Sequence, residues 1–277
     1  MSLLGATEIR ELAAKLDLNP SKGLGQNFVI DGNVCQRIVR QVEISREDIT
    51  LEIGPGLGSL TLAILETGAP LIAIEIDERL AKQLPETVSL HNPKANLTVI
   101  NQNALEITNL PSAPTVLIAN LPYNVSVPVL LNLLERFPSL REGVVMVQAE
   151  VADRLAAAPG SKDYGVPSLK GAWWADLKLA GNISRNIFWP IPNVDSKLVY
   201  FKRHQQLGDE VERKEVFALI DAAFSQRRKM IRSSMSSILG VNSESIIKAA
   251  GIDPTLRGEA LNIQDYQKIA LEFNRAL

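Results

Sequence analysis

Between Ile49 and Phe201 short apolar runs alternate with amphipathic stretches, and no other feature restricts the possible folds so strongly. Thr50-Ile53, Leu71-Ile76, Leu97-Ile100, Thr115-Ala119 and Val144-Gln148 have the length and β-branched content of buried strands. Ser59-Glu66, Glu78-Leu84, Val127-Arg136 and Glu150-Ala157 have the spacing of crossover helices, with Thr61, Leu62 and Leu65 as apolar contacts on the first. Parallel strands cannot be joined by tight turns, so strand, helix and strand in repetition predict an α/β fold with a doubly wound, mostly parallel, Rossmann-like sheet. Ligands of such sheets bind beyond the carboxyl ends of the strands, and the residues that close each apolar run become the candidates for chemistry.

After Arg203 the pattern changes to a polar stretch, His204 to Glu210, and then to helical segments only: Val211-Phe224, Ile231-Leu239, Ser243-Ala250 and Ile263-Phe273. The expected organisation is a sheet domain over residues 1–206, with an amphipathic helix within Met1-Leu18, and a small all-helical domain over residues 207–277. No apolar run approaches the ~18 residues of a membrane span. A single cysteine, Cys35, excludes an internal disulfide, and with only two histidines no metal-ligand cluster is expected. Cys35 falls in an apparently helical stretch and reads as core. A reducing cytoplasm and a monomer are the default expectations. The net charge of -2 argues against a body coated in basic residues, yet Arg227, Arg228, Lys229 and Arg232 lie in a stretch without acids. They form either a local nucleic-acid patch or a solvated helix face.

Three run-ends carry candidate chemistry. Leu51 to Thr61 passes from strand through Gly54, Gly56 and Gly58 into a helix, which lets a ligand approach the backbone. The glycines recur at every second position, so the dinucleotide fingerprint is not met. Acidic Glu52 suits a cofactor bearing an amino-acid group, such as S-adenosylmethionine, better than a diphosphate. Glu75 ends the next run, where a doubly wound fold places the acid that binds ribose hydroxyls; Asp77 reads as a helix N-cap. Asn103, after the third run, is placed to bond a cofactor adenine. Asn120-Leu121-Pro122-Tyr123 closes the fourth run with an amide, a backbone carbonyl and an aromatic face. That set suits the exocyclic amine of an unstacked base and so points to methyl transfer to adenine; a plain turn, with Asn capping, Pro stiffening and Tyr packing, is the competing reading.

Taken together these segments resemble the ribosomal RNA adenine dimethyltransferases, with Lys22 to Phe28, Glu52 to Thr61, Glu75, Asn120 to Tyr123, Phe188 to Pro192 followed by Val194 to Ser196, and Phe224 to Lys229 in the family's order. The resemblance spans nearly the whole chain and is greatest to the branch that acts on 16S rRNA in the small ribosomal subunit. It implies an S-adenosylmethionine-dependent methyltransferase fold and two N6-methylations on each of two adjacent adenosines, with a role in subunit biogenesis. It also implies that Asn27, Val29, Gly54, Gly56, Glu75, Asn103 and Asn120 face the cofactor. Asn120, Leu121, Pro122 and Tyr123 would hold the base, with Phe188 stacking opposite Tyr123. Lys22, Arg227, Arg228, Lys229 and Arg232 would contact RNA. The family's usual aspartate is Asn103 here, which predicts weaker cofactor binding and a gain on Asn103→Asp. Adenine methylation of 23S rRNA or DNA and a non-catalytic assembly factor on the same fold remain as rivals, whereas a nicotinamide oxidoreductase fails on the glycine pattern.

Overall fold

The structure, a computed structural model, describes residues 3–18 and 27–276. The first compact unit takes in the chain to Ala152 together with Lys178–Arg203. It opens with helix α1 (Ala6–Lys15), strand β1 (Phe28–Val29) and α2 (Gly32–Val39). There follow β2 (Thr50–Ile53), α3 (Ser59–Leu65), β3 (Leu71–Glu75), α4 (Glu78–His91), β4 (Leu97–Asn101), β5 (Val116–Asn120) and α5 (Ser126–Arg136). After β6 (Glu142–Gln148) and α6 (Ala149–Leu155), the chain passes through α7 (Val166–Ala172) to β7 (Ala175–Ile183), β8 (Phe188–Trp189) and β9 (Ser196–Arg203).

The seven-stranded sheet has the order β4-β3-β2-β5-β6-β9-β7, with β1 and β8 forming a separate antiparallel pair. β2 pairs in parallel with β3 and β5, β3 with β4, and β5 with β6, while β9 runs antiparallel to β6. Crossovers leave β2 in one direction and resume at β5 in the other. The gap between those two strands is therefore the switch point, where helices on opposite faces part and a ligand can enter. β2, β3 and most of β5 are buried throughout, as strands covered on both faces must be. One face packs on α1, α2, α3 and α4 through Ile9, Cys35, Ile38, Leu62 and Leu84.

Several elements depart from the sequence reading. The helix expected over Glu78-Leu84 runs on through Pro85, and α4 ends at His91. Leu80, Leu84 and Val88 are all buried on one face, and that packing outweighs the hydrogen bond that Pro85 cannot donate. β7 and β9 were not anticipated: β7 is exposed along most of its length, so it lacks the continuous apolar run that marks the other strands.

The second unit comprises Asp153–Leu177 and His204–Leu277. Its later helices are α8 (Glu210–Ser225), α9 (Ile231–Ser234), α10 (Ser236–Leu239), α11 (Ser243–Ala249) and α12 (Ile263–Ala276). The sequence pattern changes after Arg203, but packing gathers the earlier segment Asp153–Leu177 into this unit as well. Trp173 and Trp174 meet Phe217 edge-on at 6.1 and 5.5 Å, and the Tyr164 hydroxyl donates to Leu261 O at 3.0 Å. The expected helix Ile231-Leu239 is two single turns broken at Met235.

Candidate active site

Strand β2 delivers the chain into the glycine turn, where Gly54, Gly56 and Gly58 have φ of +66°, +59° and +103°. All three lie in the left-handed region, which is why the glycines alternate and no β-carbon is tolerated without strain. Gly56 N donates to Glu75 Oε2 at 3.1 Å, tying the turn to the end of β3. Glu75 Oε1 accepts from Asp77 N at 3.0 Å, and Asp77 in turn caps α4 by accepting from Arg79 N.

Glu75 is 5% exposed and Glu52, in the middle of β2, 1%. Burial raises the Glu75 pKa above the ordinary carboxylate value, with the bonds from Asp77 and Gly56 opposing it. Burial likewise pushes Glu52 up to about 8, against the 2.7 Å bond it receives from Thr61 Oγ1, and the nearby Glu75 adds to the rise. Neither carboxylate has an ion-pair partner among the described residues. Two acids held in a low-dielectric wall favour a cationic ligand, whose charge would repay their desolvation.

The corner after β5 lies directly against this turn: a β-carbon on Gly54 would stand 3.8 Å from Asn120 O and 3.9 Å from the Pro122 ring. Asn120 Nδ2 donates to Asn27 O at 3.3 Å, while its Oδ1 is buried with no hydrogen-bond partner among the described residues. A buried amide oxygen left unpaired costs about 1–3 kcal/mol, so this one is available to accept from a bound group or a water. Leu121 N is satisfied by Met146 O, and Val125 N bonds Pro122 O, which fixes the turn. The Tyr123 hydroxyl shares a 2.8 Å bond with Ser196 Oγ, which holds the ring.

One cavity of about 240 Å³ is lined by every residue expected to face the cofactor, from Asn27 to Asn120, and by Leu121, Pro122 and Tyr123. Glu52 lines it too. So do Ile76 and Leu105, apolar yet 57% and 38% exposed; the sequence reading missed both, and their only signal was their place just past strand ends. Phe188 departs from expectation. It is 1% exposed, sits in the core where β8 pairs Phe188 with Val29, and is not part of the cavity wall. The ribbon instead stacks Trp189 on Phe28 at 6.4 Å. Cys35 is wholly buried, and burial holds its thiol up at about 12, so it is no nucleophile.

The basic stretch of the second unit divides in two. Arg227 bonds Glu259 at 2.7 Å and Lys162 O at 2.9 Å, and Arg232 bonds Glu244 at 3.0 Å. The run is free of acids in sequence, but folding brings two to it. Arg228 and Lys229 are exposed with no side-chain partner among the described residues. Lys22 lies outside the described residues. Among the described residues no group of three or more His, Cys, Asp or Glu could hold a metal, and no helix is long and apolar enough to cross a membrane.

A sheet in this order, with its antiparallel β9 and a glycine turn, an acid and an asparagine at three neighbouring strand ends, defines the doubly wound α/β class that binds nucleotide-bearing ligands at its switch point. The fold is similar to the crystal structure of a dimethyladenosine transferase from Plasmodium falciparum, at TM-score 0.79 and 24% identity, covering 90% of this chain and 98% of that one. It is also similar to 23S rRNA methyltransferase ErmE, at TM-score 0.68 and 22% identity, covering 90% and 100%. The family model for ribosomal RNA adenine dimethylase matches residues 18–275. The protein named ribosomal RNA small subunit methyltransferase A of Leifsonia xyli subsp. xyli is 54% identical over 275 residues, 98% of each chain. Its namesake in Streptomyces coelicolor is 50% identical over 97% of this chain and 96% of that one. The chain belongs to the ribosomal RNA adenine dimethylase family.

Proposed function

We propose that this chain is an S-adenosylmethionine-dependent rRNA (adenine-N6,N6)-dimethyltransferase that modifies two adjacent adenosines in a hairpin loop near the 3' end of 16S rRNA, and that it takes part in small-subunit biogenesis. Asn120, whose Oδ1 has no partner among the described residues and which lines the same cavity as the glycine turn and Glu75, carries the reading. High identity to proteins named for the small subunit supports that target over the large one. A cytoplasmic, monomeric enzyme is part of the same proposal.

S-adenosylmethionine supplies a methyl group on a cationic sulfonium. Glu75 is assigned to the ribose hydroxyls and Asn103 to the adenine amine, with Asn27, Val29, Gly54 and Gly56 forming the backbone-rich wall around them. Glu52 and Glu75, both in the cavity wall, would compensate positive charge on the bound ligand. Asn120 Oδ1 and the Leu121 carbonyl accept from the target amine, which draws the nitrogen lone pair out of conjugation with the purine. Tyr123, held by Ser196, offers a stacking face worth about 1–3 kcal/mol against the few kcal/mol of extruding the base. Alignment of the two reactants accounts for roughly 7–11 kcal/mol, so no covalent enzyme intermediate is required. Phe188 stacks on the base only if the β1–β8 ribbon shifts, and is a secondary part of the proposal. Arg228 and Lys229, with Lys22, hold RNA phosphates without reading sequence; Arg227 and Arg232 contribute less because each is already paired.

Labelled methyl transfer to immature small subunits, naked rRNA and duplex DNA, followed by mapping of the modified nucleosides, tests this directly. Dimethyladenosine at two adjacent positions of 16S rRNA is expected. Transfer to 23S rRNA or DNA alone would overturn it.

A further inference from the structure

The turn after β4 holds Asn103 by both ends of its amide. Oδ1 accepts from Leu105 N at 3.0 Å, and Nδ2 donates to Glu106 Oε1 at 3.1 Å. The turn itself is closed by Glu106 N on Asn103 O at 3.0 Å and pinned to α5 by Asn132 Nδ2 on Ala104 O at 3.2 Å. Asn103 lines the cavity and Glu106 does not. Rotating the amide by half a turn would set Nδ2 against the Leu105 N–H and Oδ1 against the Glu106 carboxylate, two donors facing and two acceptors facing. Only the observed orientation pairs both ends: Oδ1 keeps a lone pair, and Nδ2, with one N–H committed to Glu106 and one left over, is drawn towards a residue outside the cavity wall.

We infer that Glu106 is a positioning residue: its carboxylate locks the Asn103 amide so that an acceptor is presented to the cavity, and this selects a cofactor carrying a 6-amino purine over one carrying a 6-oxo purine. The inference rests on the proposed reading of Asn103 as the partner of the cofactor's adenine amine. It also alters the expectation for Asn103→Asp. An aspartate there would face Glu106 at the present hydrogen-bond distance, two carboxylates where one must be disfavoured, so the substitution alone brings no gain.

The test is calorimetric binding of S-adenosylhomocysteine and of its inosine counterpart to the full chain and to variants, with melting temperature as a fold control. Glu106→Ala is expected to lower the preference for the adenine ligand about two- to ten-fold, the range of one hydrogen bond, without changing the melting temperature. Glu106→Gln keeps an acceptor for Nδ2 and should retain most of the preference. Asn103→Asp should bind no tighter than the parent, and Asn103→Asp with Glu106→Gln several-fold tighter than Asn103→Asp alone, since Gln donates to the new carboxylate. An unchanged preference in Glu106→Ala, or equal affinity of Asn103→Asp with Glu or Gln at 106, would overturn the inference while leaving Asn103 as the purine contact. An unchanged preference in Asn103→Ala would overturn both.

Discussion

Replacing Asn120 by Ala removes a buried side-chain acceptor that has no partner among the described residues. If its partner is the target amine, kcat should fall on the order of 10²–10³-fold, as when a single oriented transition-state contact is lost, with cofactor affinity little changed by calorimetry. An equal loss of both would make Asn120 a cofactor ligand. The basic residues separate by the same reasoning. Arg228→Ala and Lys229→Ala should each flatten the slope of log affinity against log salt for RNA by about 0.7–0.9. Arg227→Ala and Arg232→Ala should change that slope less and instead lower stability slightly, through loss of the surface pairs with Glu259 and Glu244.

Strand β6 owes its place to a missing side chain. Gly143 pairs with Leu117 on β5 and Phe201 on β9, and a β-carbon there would lie 2.4 Å from Leu117 O and 2.6 Å from the Phe201 ring. Gly143→Ala should therefore cost about 1–3 kcal/mol in urea denaturation, as overpacking does, although alanine is the better strand residue. The glycine turn responds differently. At Gly56 a β-carbon would meet, among the described residues, only the Phe28 ring, at 3.1 Å, but the positive φ adds about 1–2 kcal/mol of backbone strain. Gly56→Ala should then weaken cofactor binding as the turn relaxes and its bond to Glu75 lengthens, which calorimetry would register.

The folded chain as a whole should be most stable on the acid side of neutrality when no ligand is bound. Glu52 has a pKa of about 8 in the folded state against 4.5 ordinarily, so from about pH 4.5 to 8 the unfolded chain gives up a proton that the folded chain keeps. Stability falls across that window by an amount on the order of a few kcal/mol, and Glu75 acts in the same direction. Asp48 works the other way: the Arg141 guanidinium holds its carboxyl well below the usual range, so its contribution is present above about pH 4 and lost on acidification. Melting curves from pH 3 to 9 should show the maximum between these limits, and Glu52→Gln should remove most of the alkaline decline. Periodicity alone disclosed the parallel sheet, because a strand covered on both faces must be apolar throughout; it also placed the glycine turn, Glu75 and Asn120 at strand ends, since chain order fixes which residues follow each strand. It could not disclose β7, whose exposed edge carries no such signal, nor the continuation of α4 past Pro85, which depends on partners distant in sequence. Nor could it show Phe188 in the core, the acids that fold onto Arg227 and Arg232, or the solitary oxygen of Asn120. Those depend on what long-range packing brings within a hydrogen bond's reach, and local order along a chain carries no record of that.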